Sequence, residues 1–206
     1  MTLGRVITSF ATPDVNSRGL TWDGRCLWLC DEGTNLIYQL DPYTGNVITS
    51  FLSPSTAPRG LTWDGRCLWV NDNDIDIIYQ LQPDTGAVIT SFASPGVEST
   101  GLTWDGRCLW IAESIIDLIY QLDPYTGNMI TSIPAPSAES RGLTWDGRCL
   151  WVCDNAANMV YQIQPDTGDV IVSFAVVANP WGLAWDGRQI WSSNYTTNMI
   201  YQHEVN

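Results

Sequence analysis

The chain has 206 residues, 45% of them hydrophobic, with 11 Trp, which is enough apolar mass for one closed domain with a substantial core. Twenty-two acidic residues face nine Arg and no Lys, and the net charge of −13 excludes nucleic acid and anionic membrane surfaces as partners. The start Met-Thr-Leu-Gly-Arg lacks a basic segment followed by an apolar run, and no stretch approaches 18 apolar residues, so a soluble protein without a membrane anchor is expected.

In chain order, the first predicted strand is residues 3–10, Leu-Gly-Arg-Val-Ile-Thr-Ser-Phe. The phrase Gly-Leu-Thr-Trp-Asp-Gly-Arg-Cys-Leu-Trp then begins at Gly19, Gly60, Gly101 and Gly142, and the variant Gly-Leu-Ala-Trp-Asp-Gly-Arg-Gln-Ile-Trp begins at Gly182. The spacing is 41 residues with one step of 40, and a repeat of this length with room for four strands points to a propeller blade.

Within the first unit, residues 20–22 read as a short strand and Asp23-Gly24 as a two-residue type I′ hairpin turn, because Gly admits positive φ. Residues 25–30 continue as the second strand, residues 31–35 form a polar loop, and Leu36-Ile37-Tyr38-Gln39-Leu40 is a third strand rich in β-forming side chains. Asp41-Pro42-Tyr43-Thr44-Gly45 supplies a turn and residues 47–51 the fourth strand. Apolar residues fall on both faces of the inner strands, as expected where each blade lies between two others.

The fifth unit ends at Asn206, after its third strand, and the missing fourth is residues 3–10, which align with residues 44–51. The expectation is an all-β, five-bladed β-propeller with four antiparallel strands per blade, closed by the N-terminal strand as the outer strand of the last blade. It forms a single domain over 1–206, with blades at about 19–59, 60–100, 101–141, 142–181, and 182–206 plus 1–18. Closure removes an unfinished edge, so a monomer is expected over a domain-swapped assembly.

In residues 142–170, Gly-Leu-Thr-Trp-Asp-Gly, then Leu-Trp-Val-Cys-Asp, then Asn-Met-Val-Tyr-Gln-Ile-Gln-Pro-Asp-Thr-Gly-Asp-Val, the sequence resembles blades of the NHL, YVTN and streptogramin-lyase-like propellers. The resemblance covers the whole chain and implies the blade type. Because those families include binding modules, scaffolds and a few enzymes, it implies no single activity. Five near-identical units depart from most of them and suggest recent amplification of one blade, or design by that route.

Cys26, Cys67, Cys108 and Cys149 occupy one slot in successive blades, and Cys30 and Cys153 lie four residues beyond Cys26 and Cys149. Four residues of strand span about 13 Å, beyond the ~7 Å reach of a disulfide. With no Cys-x-x-Cys and only His203, no zinc cluster is expected. Buried free thiols follow, and they lean the localisation to the cytoplasm. No cofactor and no metal are expected. Asp72, Asp74 and Asp76 alternate like the start of a calcium loop, but positions six and twelve are Ile77 and Pro83, so turn capping by Asp76 and its equivalents Asn35, Asp117, Asn158 and Asn198 is the simpler account.

Differences between units concentrate in the second-to-third-strand loops and the connections between blades, which emerge on one face of the disc. Unselected drift in surface loops accounts for the same pattern; a specific ligand, if one binds, is expected on that face, so binding candidates are sought there. The residue ending the second strand reads Asp31, Asp72, Glu113, Asp154, Asn194, and the residue before each repeated phrase reads Arg18, Arg59, Thr100, Arg141, Trp181. Two readings stand: a ring of Arg–Asp contacts, or a polar rim receiving an ion or small ligand. Blade five adds Trp181, Tyr195 and an apolar connection, residues 175–178, which read as an aromatic pocket or as packing at a blade junction. One His, no Lys and near-identical blades leave no asymmetric acid–base or metal cluster, so no catalytic residues are assigned. The expected function is a non-catalytic binding module for a carbohydrate or protein ligand on the variable face. The alternative is a repeat-amplified or engineered scaffold without a specific ligand, and a lyase- or lactonase-like enzyme ranks below both.

Overall fold

The computed structural model describes residues 3–177 and 179–205; Ala178, in the apolar connection, lies outside them. The described residues form five four-stranded antiparallel sheets and no helix. Blade one, from the axis outward, is β2 (Ser17–Trp22), β3 (Leu27–Asp31), β4 (Leu36–Leu40) and β5 (Val47–Leu52). Blade two is β6 (Pro58–Trp63), β7 (Leu68–Asp72), β8 (Ile77–Leu81) and β9 (Val88–Ala93). Blade three is β10 (Ser99–Trp104), β11 (Leu109–Glu113), β12 (Leu118–Leu122) and β13 (Met129–Pro134). Blade four is β14 (Ser140–Trp145), β15 (Leu150–Asp154), β16 (Met159–Ile163) and β17 (Val170–Ala175). Blade five is β18 (Pro180–Trp185), β19 (Ile190–Asn194), β20 (Met199–His203) and, as its outer strand, β1 (Val6–Ala11).

The ring closes as expected. β1 runs antiparallel to β20, with Phe10 opposite Ile200 and Ala11 opposite Met199. Beyond the strand, Gly4 N–H donates to the Glu204 carbonyl at 2.7 Å, Glu204 N–H donates to the Arg5 carbonyl at 2.9 Å, and Arg5 pairs with the Glu204 carboxylate at 2.8 Å.

The second strand of each blade is buried at every position, because neighbouring blades cover both its faces. Trp28, Cys30 and Ile37 of blade one meet Leu61, Leu68, Val70 and Leu81 of blade two in one apolar cluster, where each fully buried aliphatic side chain contributes about 1.5–3 kcal/mol. The outer strand β5 is exposed except at Phe51, which reaches in to Trp28 with ring centroids 6.0 Å apart. Gly45, at φ +74°, lies against Phe10 of the preceding blade so closely that a Cβ there would come within 2.5 Å of the Phe10 ring. The Thr-Gly turn thus needs Gly for its conformation and for the blade-to-blade contact.

Two details differ from expectation. Strand pairing between β2 and β3 ends at Trp22 opposite Leu27, so residues 23–26 form the loop and no two-residue type I′ turn exists. The loop is organised by Asp23 itself: Oδ1 accepts the N–H groups of Arg25 and Cys26 at 2.8 and 2.6 Å, while Oδ2 accepts Trp28 Nε1–H at 2.7 Å and Gln39 at 3.3 Å. Asp64, Asp105, Asp146 and Asp186 repeat the Trp and Gln contacts. The inner strand also starts at Ser17, three residues early, through a bulge: Ser17 lies opposite Asp31 and Leu20 opposite Leu29, so Arg18 and Gly19 together face Cys30. All six Cys are buried and free, and burial pushes the Cys30 and Cys153 thiols up to about 12.

Candidate functional site

The bulge recurs in every blade, and its two residues have separate tasks. The second is the Gly of the repeated phrase, and it lies so close to the axis that a Cβ on Gly19 would come within 2.5 Å of the Arg59 carbonyl and 2.6 Å of Leu61 N. Gly60 meets blade three, Gly101 blade four, Gly142 blade five and Gly182 blade one in the same way. Only Gly lets five inner strands approach this closely, and the axis at this level has no room for a water molecule.

In blades one, two and five the side chain opposite the bulge ties its blade to the next. In blade two, Gly60 N–H donates to Asn71 Oδ1 at 2.7 Å and Asn71 Nδ2 donates to the Ser99 carbonyl at 2.7 Å. Ser193 does likewise between Gly182 and the Arg18 carbonyl, and Cys30 between Gly19 and the Arg59 carbonyl. Blade three has Ala112 there, which offers no side-chain hydrogen bond, and Thr100 supplies it from the other strand by donating to the Ser140 carbonyl at 3.1 Å. This explains why blade three alone carries Thr in the Arg series.

The first bulge residue projects over the mouth of the channel on the variable face, since bulges re-aim side chains. The structure brings Arg18, Arg59, Arg141 and Trp181 together there. The guanidinium carbons lie 3.8, 5.7 and 4.8 Å from the Trp181 ring centroid, and Arg18 also lies 4.4 Å from the ring of Tyr195. Trp181 and Tyr195 have centroids 6.0 Å apart, and Trp181 Nε1–H donates to Asn179 Oδ1 at 3.1 Å.

The expected Arg–Asp ring is not what forms. The Arg partners are Glu side chains that the sequence reading did not single out: Arg18 Nε donates to Glu32 at 2.6 Å, Arg59 bridges Glu32 and Glu98 at 3.5 and 3.4 Å, and Arg141 pairs with Glu139. Their signal was positional, since Glu32 follows Asp31 directly and Glu98 and Glu139 precede each bulge by two residues. Asp31, Asp72, Glu113, Asp154 and Asn194 are instead buried clamps in the loops. Asp72 Oδ2 accepts Ala57 N–H of the preceding connection at 2.7 Å, while Oδ1 accepts Asp74 and Ile75 N–H. Asp31 does the same with Asn16 and Thr34, Glu113 accepts Glu98 N–H, Asp154 accepts Ala157 N–H, and Asn194 Oδ1 accepts Thr196 and Thr197 N–H. Burial pushes the Glu113 carboxyl up against these hydrogen bonds. Asp76, Asn35, Asp117, Asn158 and Asn198 all hold φ between +52° and +58°, the left-handed turn position that Asn and Asp tolerate.

Around these Arg groups, Arg18 Nη1, Arg59 Nε and Arg141 Nε are buried without a hydrogen-bond partner. Among the described residues, no three His, Cys, Asp or Glu gather as metal ligands. His203 is far from this rim, wholly buried between Ser192 Oγ at 2.8 Å and the Gly4 carbonyl at 3.3 Å. Burial lowers its pKa to about 4.

No protein-family model and no curated protein sequence matches the chain. Among solved structures, it is similar to the glutaminyl cyclase of Myxococcus xanthus (13% identity, 98% of this chain and 95% of that one, TM-score 0.85). It is also similar to the virginiamycin B lyase of Staphylococcus aureus (19%, 96% and 69%, TM-score 0.58) and to the WD40 β-propeller domain of Doa1 (11%, 91% and 63%, TM-score 0.62). What is shared at these identities is the fold, and the chain is a five-bladed β-propeller closed by its own N-terminal strand.

Proposed function

We propose that the chain is a non-catalytic binding module whose channel mouth takes a ligand through an oxyanion, a carboxylate or a phosphate. The observation that carries this is the convergence of three guanidinium groups on Trp181, each keeping a buried N–H without a partner. An orphaned buried donor costs about 1–3 kcal/mol, and a planar oxyanion is the group a guanidinium fork is shaped to satisfy. The Glu side chains compete for the same groups: the Arg side chains are 10–17% exposed and the Glu side chains 23–46%, so a ligand oxyanion must replace partly buried ion pairs. A net charge of −13 repels anions at long range, so selection at the mouth is local and depends on shape. Trp181 and Tyr195 offer flat faces for the rest of the ligand.

The non-catalytic part rests on the chemistry present. Glutaminyl cyclase and virginiamycin B lyase share the fold, but fold does not fix activity. The mouth offers Arg, Trp and Tyr with carboxylates held in ion pairs. One observation favours the scaffold alternative: the axis beneath the mouth is closed. Calorimetric titration with citrate and inorganic phosphate separates the readings. One site per chain, lost at least tenfold in Trp181→Ala and Arg18→Gln, is the expected outcome. No heat with either anion supports the bare scaffold, and cyclisation of a glutaminyl peptide or cleavage of a streptogramin B substrate sinks the non-catalytic assignment.

A further inference from the structure

On the opposite face, the repeated loops leave open clefts between neighbouring blades. The cleft from blade five to blade one encloses about 470 Å³ and is lined by Thr8, Asp186, Arg188, Trp191 and Gln202 on one side and Trp22, Pro42 and Tyr43 on the other. The cleft from blade two to blade three, about 350 Å³, has the same residues at the same positions: Thr90, Asp64, Arg66, Trp69 and Gln80 against Trp104, Pro124 and Tyr125. Both volumes fall in the range of small-molecule sites, roughly 300–1,000 Å³. The cleft from blade one to blade two has the same walls, but there Pro83 is followed by Asp84 where the other two have Tyr.

Two features mark the Tyr-roofed pair as sites. Tyr43 and Tyr125 are 92% and 93% exposed, so they contribute almost nothing to blade packing and stand as free aromatic plates at the cleft rim. Facing them, each cleft presents a guanidinium, a Thr hydroxyl and the Gln carboxamide oxygen, while the Asp carboxylate is already filled by two backbone N–H groups, a Trp Nε1–H and the Gln amide. An aromatic face opposite a mixed row of donors and acceptors suits a hydroxylated ring, with apolar C–H edges on Tyr and hydroxyls on the Thr hydroxyl, the Gln carboxamide oxygen and the Arg guanidinium. Because Arg and Asp of opposite sign share each wall, the cleft carries no net preference for a charged ring. The hollow on the far side of Tyr125, lined by Arg107, Asp123 and Ile130 among others, has no Trp wall and makes no second platform.

We infer that the clefts roofed by Tyr43 and Tyr125 are two equivalent sites for a neutral pyranose, separate from the channel mouth. Their count follows from the sequence of turns: Asp-Pro-Tyr-Thr-Gly occurs in units one and three and Gln-Pro-Asp-Thr-Gly in units two and four, so the repeat yields two Tyr roofs. Two weak sites on one rigid disc gain avidity for a clustered glycan surface.

The test is calorimetry and ligand-observed NMR on the full chain with the methyl glycosides of glucose, galactose and N-acetylglucosamine. The expected result is two equivalent sites for at least one glycoside. Tyr43→Ala leaves one site, Tyr125→Ala leaves one, the double variant leaves none, and Trp181→Ala leaves both. Tyr exposure predicts unchanged melting for these variants, and Tyr43→Phe, which keeps the plate, retains both sites. Binding to none of the three sugars, a stoichiometry other than two, or sites that survive the double Tyr variant overturns the inference. Loss on Trp181→Ala would move the sugar to the mouth and overturn it as well, whereas silence towards citrate and phosphate leaves it intact.

Discussion

Asp105 accepts four hydrogen bonds at once, from Arg107 N–H, Cys108 N–H, Trp110 Nε1–H and the Gln121 carboxamide. Trp110 is 3% exposed, so its N–H cannot turn to water when the carboxylate is removed. Asp105→Ala is expected to cost about 3 kcal/mol, on the scale of one or two stranded buried donors, and to lower Tm by roughly 10 °C for a chain of this size. Asp41 makes similar turn contacts to Tyr43 and Thr44 N–H at an exposed position where water replaces it. Asp41→Ala should therefore cost much less than Asp105→Ala. Urea denaturation of the two variants side by side measures both; equal losses would show that the Trp contact carries no special weight. The Asp of each Trp-Asp-Gly phrase was visible in the sequence, but only as a turn residue. Its bond to a Trp five residues on was hidden because a sequence repeat reports that a residue is required without saying which of its contacts requires it.

At the scale of the strand, β20 carries a similar exchange. Its Tyr-Gln-His ends in His203, where the other blades have Leu40, Leu81, Leu122 and Ile163, and β19 carries Ser192 where they have Leu29, Val70, Ile111 and Val152. The paired change swaps an apolar contact for a buried Ser–His hydrogen bond, and Phe174 and Tyr201 lie against the imidazole with centroids 5.8 and 6.2 Å away. Above pH 6.5 the ring is neutral folded and unfolded, so nothing is lost. Between pH 6.5 and about 4 the unfolded chain binds a proton that the folded one refuses, and stability falls with pH by up to about 3 kcal/mol. The Ser192→Val/His203→Leu double variant restores the pair of the other blades and should flatten this part of the profile. Tm measured from pH 7 to pH 4 checks it, and parallel profiles in the two proteins would rule out His203 as the source. The strands themselves were legible from β-branched runs and turn residues, but the bulge at Arg18 and Gly19 was not. A bulge adds one residue to a strand without altering composition, and here it sets both the channel mouth and the glycine ring.

At the scale of the molecule, everything depends on a ring whose last blade is completed from the first residues. The alignment of residues 3–10 with residues 44–51 made that closure readable, because a repeat leaves its missing strand conspicuous. β1 fills the blade-five position physically: the Phe10 ring lies 5.9 Å from that of Trp191 and packs on Gly45 of blade one, while His203 Nδ1–H donates to the Gly4 carbonyl at 3.3 Å. Removing residues 1–10 withdraws the Phe10 side chain, worth about 1.5–3 kcal/mol in burial, together with the strand's backbone ladder. It also leaves β20 with unpaired N–H and C=O groups along an open edge. The expected outcome is a lower melting temperature and a shift to higher oligomers by gel filtration, as β20 of one chain pairs with an edge of another. A synthetic peptide of residues 1–11 should compete with that association and return the protein to a single small species, whereas a peptide with Phe10→Ala should do so less well. A truncated protein that stays monomeric and melts unchanged would mean that blade five is stable with three strands, and that closure by β1 is dispensable to the ring that holds the channel mouth and the blade-five cleft in place.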